Sequence, residues 1–178
     1  HWVPPREAAS AMEAIGNGTR TGLRMCLQIA AILLVLVSLV HLCNLALAAA
    51  PDVGGAPLTL ERILGTILRP LAWLLGIPWQ ESLVAGQLLG TKTILNELLA
   101  YLALAELPRG SLGVESELIL TYALCGFANI GSLGILIAGL TELVPERRED
   151  ILLLGPRAVV AGSLATFSTG AVIGLVHI

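Results

Sequence analysis

The sequence predicts an all-α integral membrane protein with three full transmembrane helices, one of them broken mid-membrane. A re-entrant helical hairpin and interfacial amphipathic helices complete the predicted fold. Three observations predict it. Of the 178 residues 56% are hydrophobic and 13% charged, against about 25% charged in ordinary soluble domains, and mean hydropathy is +0.85. A soluble protein of this size would be left with large apolar patches in water; lipid accommodates them. Three uncharged stretches reach the ~20 residues needed to cross a hydrocarbon core. One of these stretches, and one further apolar region, are interrupted near their middles by polar residues.

In chain order, residues 1–24 are polar, contain Pro4, Pro5, Gly16 and Gly18, and read as a cytoplasmic or interfacial segment with no cleavable signal peptide. Residues 25–50 carry no formal charge and form the first span. Residues 51–77 hold a loop and an amphipathic helix on the extracellular side. There Leu60, Ile63, Leu64, Ile67, Leu68, Leu71 and Leu75 recur at helical spacing, with Glu61 and Arg69 to one side. Residues 78–107 follow Pro78 with two half-length apolar arms, Ser82–Leu89 and Leu98–Ala105, around the polar run Gly90–Glu97. Such a pattern fits a re-entrant hairpin, because irregular backbone at membrane depth is tolerated only against protein or a watery cavity. A single kinked helix facing a bundle is the simpler alternative.

Residues 115–144 form the second span, in which Gly126, Gly131 and Gly134 surround Asn129 and Ser132. Glycine costs about 1 kcal/mol in a helix and asparagine competes for backbone hydrogen bonds, so the helix is expected to unwind near its centre. Tight packing through Ala128-x-x-x-Ser132 is the competing explanation. Residues 151–178 form the last span. Arg6, Arg20 and Arg24 precede the first span and Arg147, Arg148 and Arg157 sit between the uncharged runs of the last two, the last of which starts at Ala158, whereas only Arg62, Arg69 and Arg109 fall on the other side. This asymmetry puts the N-terminal segment and the PERRED loop inside and leaves the C-terminus outside.

Glu97 stands out on physical grounds alone. An ionisable group inside an apolar region costs roughly 2.5–3.5 kcal/mol on insertion scales and by default marks function. The structural alternative is an ion pair with Lys92, five positions away and so on a different helical face, or a contact with Tyr101 one turn on. Asn129 and Ser132, three apart, share a side. A carboxylate, an amide and a hydroxyl converging at one place would ligate a polyhydroxylated solute. Ser38, His41 and Asn44 form a polar stripe read as helix–helix hydrogen bonding.

The net charge of −3 has no basic stripe to meet phosphates, so no nucleic-acid partner is expected. Cys26, Cys43 and Cys125 lie in apolar runs without paired spacing and read as free buried thiols. No metal or soluble-enzyme signature is present, and Ser132 with Glu97 makes a poor hydrolase without a nearby base.

The residues GTKTILNELLAY (Gly90–Tyr101), WQES (Trp79–Ser82), SELILTYALCGFANIGSLGILIAGL (Ser116–Leu140) and PERREDI followed by RAVVAGSLAT keep one order along the chain. In that order they resemble the C-terminal half of the concentrative nucleoside transporters, from about Glu13 onward. The resemblance implies a homotrimeric, elevator-type nucleoside symporter in the cell membrane, plasma or bacterial inner. It implies that Glu97, Asn129 and Ser132 hold ribose hydroxyls beside Phe127. Leu98 stands where the family often has phenylalanine. No bound cofactor is implied; the coupling sodium or proton is expected in an N-terminal half absent here. The chain starts with His and is expected to be part of something longer, holding the sugar half of the site. A structural or regulatory membrane module derived from such a transporter is the alternative.

The arginine distribution yields a topology test. Arg148→Cys should be labelled only from the cytoplasmic side and Ser111→Cys only from outside; the reverse pattern would overturn the orientation.

Overall fold

Helix α1 (Ala11–Leu47) starts well upstream of the apolar run that marks the first span. The computed structural model, which describes residues 8–53 and 55–177, supplies the reason. Ser10 Oγ accepts from the Glu13 N–H at 3.1 Å, and the Glu13 carboxylate accepts from the Ala9 N–H at 2.7 Å. This is close to a capping box, which satisfies amide donors that a helix start otherwise orphans. Residues 1–7, Arg6 of the orientation argument among them, and Ile178 lie outside the described residues.

The chain divides into two units, His1–Val35 and Leu36–Ile178. The described part of the first is the leading portion of α1, whose Met12, Leu23, Leu27 and Leu34 are exposed. In the second unit the rest of α1 is followed by α2 (Leu60–Leu74), α3 (Ser82–Ile94), α4 (Glu97–Ala105), α5 (Val114–Leu124), α6 (Ile130–Leu143), one 3-10 turn at Pro145–Arg147, and α7 (Arg148–Val176). The described residues contain no strand, only an isolated bridge between Val53 and Ala56. The helices α1 and α7 are long and apolar enough to cross a bilayer.

Asn44 of α1 reaches α2. Its side-chain oxygen accepts from the Leu60 N–H at 2.8 Å, and its amide donates to both Glu61 oxygens at 3.2 and 3.0 Å. One residue of the predicted polar stripe therefore makes the expected helix–helix bond, to a helix whose start it helps cap. His41 is exposed. Arg62 folds back onto the carbonyls of Val53, Ala56 and Pro57, ordering the loop before α2.

The amphipathic helix α2 lays its small residues on α3. A side chain at Gly86 would collide with the backbone carbonyl of Gly65, so the two backbones touch where both residues lack Cβ. Ala72, Leu75, Ala85, Leu88, Ile119 and Leu120 build the core above that crossing. Ile67, at the predicted apolar spacing, is exposed instead. Arg69 stacks on Trp79 at 4.1 Å and bonds Ser82 Oγ at 3.1 Å, fixing the turn into α3.

The long α7 packs along α5 and α6. At Gly170 an added Cβ would lie 2.9 Å from the Ala123 Cβ and 3.0 Å from the Ile119 carbonyl oxygen, so α5 can approach only a glycine there. The three cysteines are free, as expected, but Cys26 and Cys125 are exposed and Cys43 half-buried. An apolar stretch in a membrane chain need not face protein, which is why apolar neighbours in sequence overstated their burial.

Gly170→Ala should lower the stability of the detergent-purified protein by about 1–3 kcal/mol, the usual cost of overpacking. Gly18→Ala, with nothing within 4 Å of the new methyl, should be neutral or slightly stabilising. Thermal unfolding of the two variants makes the comparison.

Candidate functional site

Two helix restarts build the site. At the first, α3 ends at Ile94 and α4 begins at Glu97, leaving Leu95 and Asn96 between them. Asn96 is extended (φ −166°, ψ 174°), and its side-chain oxygen accepts from the Leu99 N–H at 2.9 Å. Asparagine is among the best N-cap residues because it satisfies an orphan amide of the first turn. The cap places Glu97 in that first turn, where the positive end of the helix dipole favours a carboxylate. The polar residues leading to the tip are absorbed locally: Thr91 and Thr93 hydroxyls donate to the Gln87 and Leu89 carbonyls at 3.0 and 2.8 Å.

The second restart repeats the device. Helix α5 stops at Leu124, residues 125–129 are non-helical, and α6 starts at Ile130. Asn129 is extended (φ −147°, ψ 168°), and its oxygen accepts from the Ser132 N–H at 2.6 Å. Its amide nitrogen donates to Glu97 Oε2 at 3.4 Å and to the Phe127 carbonyl at 3.3 Å. One buried side chain therefore caps α6, braces the unwound segment and meets the carboxylate of the other restart. Small residues still serve packing here, since Gly162 of α7 sits against Ala128. The segment is both unwound and closely packed.

Of the residues singled out in the sequence, Glu97 and Asn129 are brought together directly. Ser132 is bound to Asn129 through its backbone and lines an open, mostly apolar groove of about 400 Å³ with Phe127, Leu133, Leu136, Ala158 and Val159. Phe127 is 78% exposed, its ring at the groove and its carbonyl on Asn129. Glu97 is half-buried and Asn129 1% exposed. The groove is lined by Phe127 and Ser132, which are bonded to Asn129 through their backbones, while the carboxylate and amide of Glu97 and Asn129 meet each other and are not part of its lining. A carboxylate and an amide together can accept from and donate to hydroxyls.

Lys92 does not pair with Glu97. It is fully buried, and its ammonium donates to Thr166 Oγ1 at 2.8 Å and to the Ala123 carbonyl at 3.4 Å, over the Phe167 ring at 5.0 Å. Tyr101 does not bond Glu97 either; its hydroxyl donates to the Thr121 carbonyl at 2.6 Å. For Lys92 the break at Leu95–Asn96 ends α3 before the carboxylate, and its ammonium finds acceptors on α5 and α7. Tyr101 shares α4 with Glu97 but gives its hydroxyl to a carbonyl of α5 instead. Asn96 escaped the sequence reading although Asn-Glu at a helix start is a capping signal. No cluster of three metal-ligating side chains occurs among the described residues.

The sequence profile described as "Na+ dependent nucleoside transporter C-terminus" matches residues 3–174. The chain belongs to the Na+-dependent nucleoside transporter family. It is 41% identical over 171 residues to nucleoside permease NupC of Helicobacter pylori, covering 93% of this chain and 41% of that protein. It is 36% identical over 184 residues to human solute carrier family 28 member 3, covering 95% of this chain and 27% of that one. The solved CNTnw transporter in an intermediate state superposes with a TM-score of 0.87 at 36% identity, over 97% of this chain and 44% of CNTnw. An inward-facing, substrate-bound CNTnw structure gives a TM-score of 0.81 at 35% identity, over 98% of this chain and 43% of that one. The chain thus spans less than half the length of these relatives, which are transporters rather than enzymes. It is a multi-pass protein of the cell membrane.

The two roles of Asn129 can be separated. Asn129→Ser keeps a good capping side chain, so stability should change little, whereas Asn129→Ala should cost about 1 kcal/mol more through the lost cap. Both remove the bond to Glu97, so binding of a hydroxyl-rich ligand should weaken in both. Paired melting and ligand titrations test this; full binding in either variant would remove Asn129 from the site.

Proposed function

We propose that this chain is the C-terminal part of a cation-coupled nucleoside symporter and supplies the half of the substrate site that holds the ribose. The observation that carries the reading is the 3.4 Å approach of Asn129 to Glu97, which joins two helix restarts 32 residues apart. Glu97 accepts ribose hydroxyl protons in charge-assisted bonds, and Asn129 offers an amide beside it. Ser132 adds a hydroxyl at the groove, and Phe127 gives an apolar face next to the sugar. A site built to bond hydroxyls discriminates strongly against analogues that lack them.

In this reading α3 and α4 are the arms of a re-entrant hairpin that enters and leaves on the outer side. The helix pair α5–α6 is one span broken at mid-membrane, and α1 and α7 are full spans. Half-helix ends at membrane depth are where carriers place their solute contacts. The coupling ion, sodium or proton, and the contacts to the base belong to the part of the transporter that this chain does not cover. The hairpin and the broken helix move together with the solute in an elevator-type step, and three copies assemble. The likeness to CNTnw in intermediate, inward-facing and outward-facing states supports a moving carrier over a static membrane module.

The test is Glu97→Gln in the full-length transporter carrying this segment. The substitution keeps shape and loses the charge. Charge-assisted bonds contribute about 1.5–3 kcal/mol each, so nucleoside affinity should fall roughly ten- to a hundredfold. The preference for uridine over a dideoxy analogue should largely disappear, with protein abundance unchanged. Intact discrimination in a well-folded Glu97→Gln protein would refute the ribose assignment.

A further inference from the structure

Helix α5 ends with Ala123 and Leu124 buried, and the last four carbonyls of any helix lack intrahelical donors. Here each finds one. The Tyr122 and Leu124 carbonyls accept from the Cys125 and Gly126 N–H groups at 3.3 and 2.8 Å, within the unwound segment itself. The other two are supplied by the hairpin, one from each arm: Tyr101 of α4 donates to the Thr121 carbonyl at 2.6 Å, and Lys92 of α3 to the Ala123 carbonyl at 3.4 Å. Lys92 is 0% exposed and has no carboxylate within ion-pairing distance among the described residues. Its charge rests on the negative end of the α5 dipole, the Thr166 hydroxyl and the Phe167 ring. Burying a lysine with no carboxylate in bonding range is costly, and a neutral side chain would fill the same volume.

We propose that Lys92 and Tyr101 form a two-point clip that holds the broken end of α5 against both arms of the hairpin and thereby sets the Glu97–Asn129 spacing. Both are positioning residues for the proposed ribose site, and the inference rests on that reading. The geometry explains why two points are used. Lys92 lies five residues before Glu97 and Tyr101 four after it, so the attachments bracket the tip. Their acceptors, Thr121 and Ala123, lie on the final turn of α5, shortly before the segment that carries Phe127 and Asn129. One attachment would leave the hairpin free to pivot about it; a second on the other arm removes that rotation. The Asn129–Glu97 contact, at 3.4 Å, is a single hydrogen bond between the two restarts, and a single bond leaves them free to turn about it. Through Thr166 and Phe167 the clip also engages α7, so hairpin, broken helix and final helix travel as one body when the carrier moves.

The test uses the full-length transporter with Lys92→Met, Lys92→Arg and Tyr101→Phe. Spin labels at the exposed Leu98 and Ile130 report the tip-to-break spacing in the absence of nucleoside, and uridine and dideoxyuridine titrations report the site. Wild type should give one narrow distance. Both Lys92→Met and Tyr101→Phe should broaden it. Losing one neutral hydrogen bond at Tyr101 should weaken uridine binding about fivefold, and losing the charged donor at Lys92 about tenfold or more. The ribose preference should shrink in step. Lys92→Arg, which keeps a charged donor, should remain nearer to wild type than Lys92→Met. If Lys92→Met fails to assemble, Tyr101→Phe, which deletes a single oxygen, still decides the matter. An unchanged distance and unchanged affinity in folded Tyr101→Phe would overturn the clip. Broadening in these variants, with Glu97→Gln binding uridine normally, would keep the clip and remove the ribose assignment instead.

Discussion

Everything at the centre of this molecule depends on ending and restarting helices where water is scarce. A helix terminus exposes four amides or four carbonyls, and each left unsatisfied in an apolar setting costs several kcal/mol. The chain meets this at its two restarts with the same side chain. Asn96 caps α4 and Asn129 caps α6, each extended and each bonding an amide of the following first turn. With Gly131 of α6 close to the Leu95 carbonyl, the two helix starts adjoin one another. The capping requirement thus creates a place where the positive ends of two helix dipoles sit beside one carboxylate. A carboxylate can be kept there at lower cost than further along α3 or α4.

Packing makes this arrangement rigid, and it relies on absent side chains as much as on present ones. In lipid the hydrophobic effect does not drive helices together, so close backbone approach and dispersion must. Gly65 and Gly86 let α2 and α3 touch, and Gly170 and Gly174 let α7 lie against α5. Counting from Gly162, the positions Thr166, Gly170 and Gly174 follow at intervals of four along one stripe of α7. They meet Ala128, Gly126, Ala123 and Ile119 in turn, so a single face of α7 tracks the last turns of α5 and runs on into the interruption. At Gly126 and Ala128 the irregular backbone therefore meets protein, as the membrane requires.

Membership of a transporter family accounts for features that a static membrane protein would have little reason to keep. A buried lysine with no carboxylate in bonding range, a half-buried glutamate and a helix interrupted within the protein each cost stability. Together they give a polar, hydrogen-bonded centre in an apolar surround. The groove beside it, lined by Phe127, Ser132, Leu136 and Ala158, is open on this chain. Relatives more than twice as long have further chain with which to build the remaining wall.

Much of the architecture was legible in the residues because it depends on local chemistry. The absence of charge over 25–50 and 158–178 marks spans, Asn129 amid glycines marks an interruption, and Glu97 in an apolar run marks a costly group. Ser10 and Glu13 carried a start signal for α1 that the apolar run obscured. The partners of the polar side chains were not legible. Lys92 meets atoms 31 and 74 residues away, Tyr101 one 20 away and Asn44 one 17 away. Periodicity tells which face of a helix a residue occupies; it does not tell which helix will lie opposite. The sequence by itself pointed to interruptions within Gly90–Glu97 and around Asn129, and to a costly carboxylate at Glu97. Only the tertiary structure decided that the two breaks meet and that lysine and tyrosine bind the end of α5 instead of Glu97. A hydrogen bond is chosen by distance in space, and that distance is set by how the whole set of helices packs.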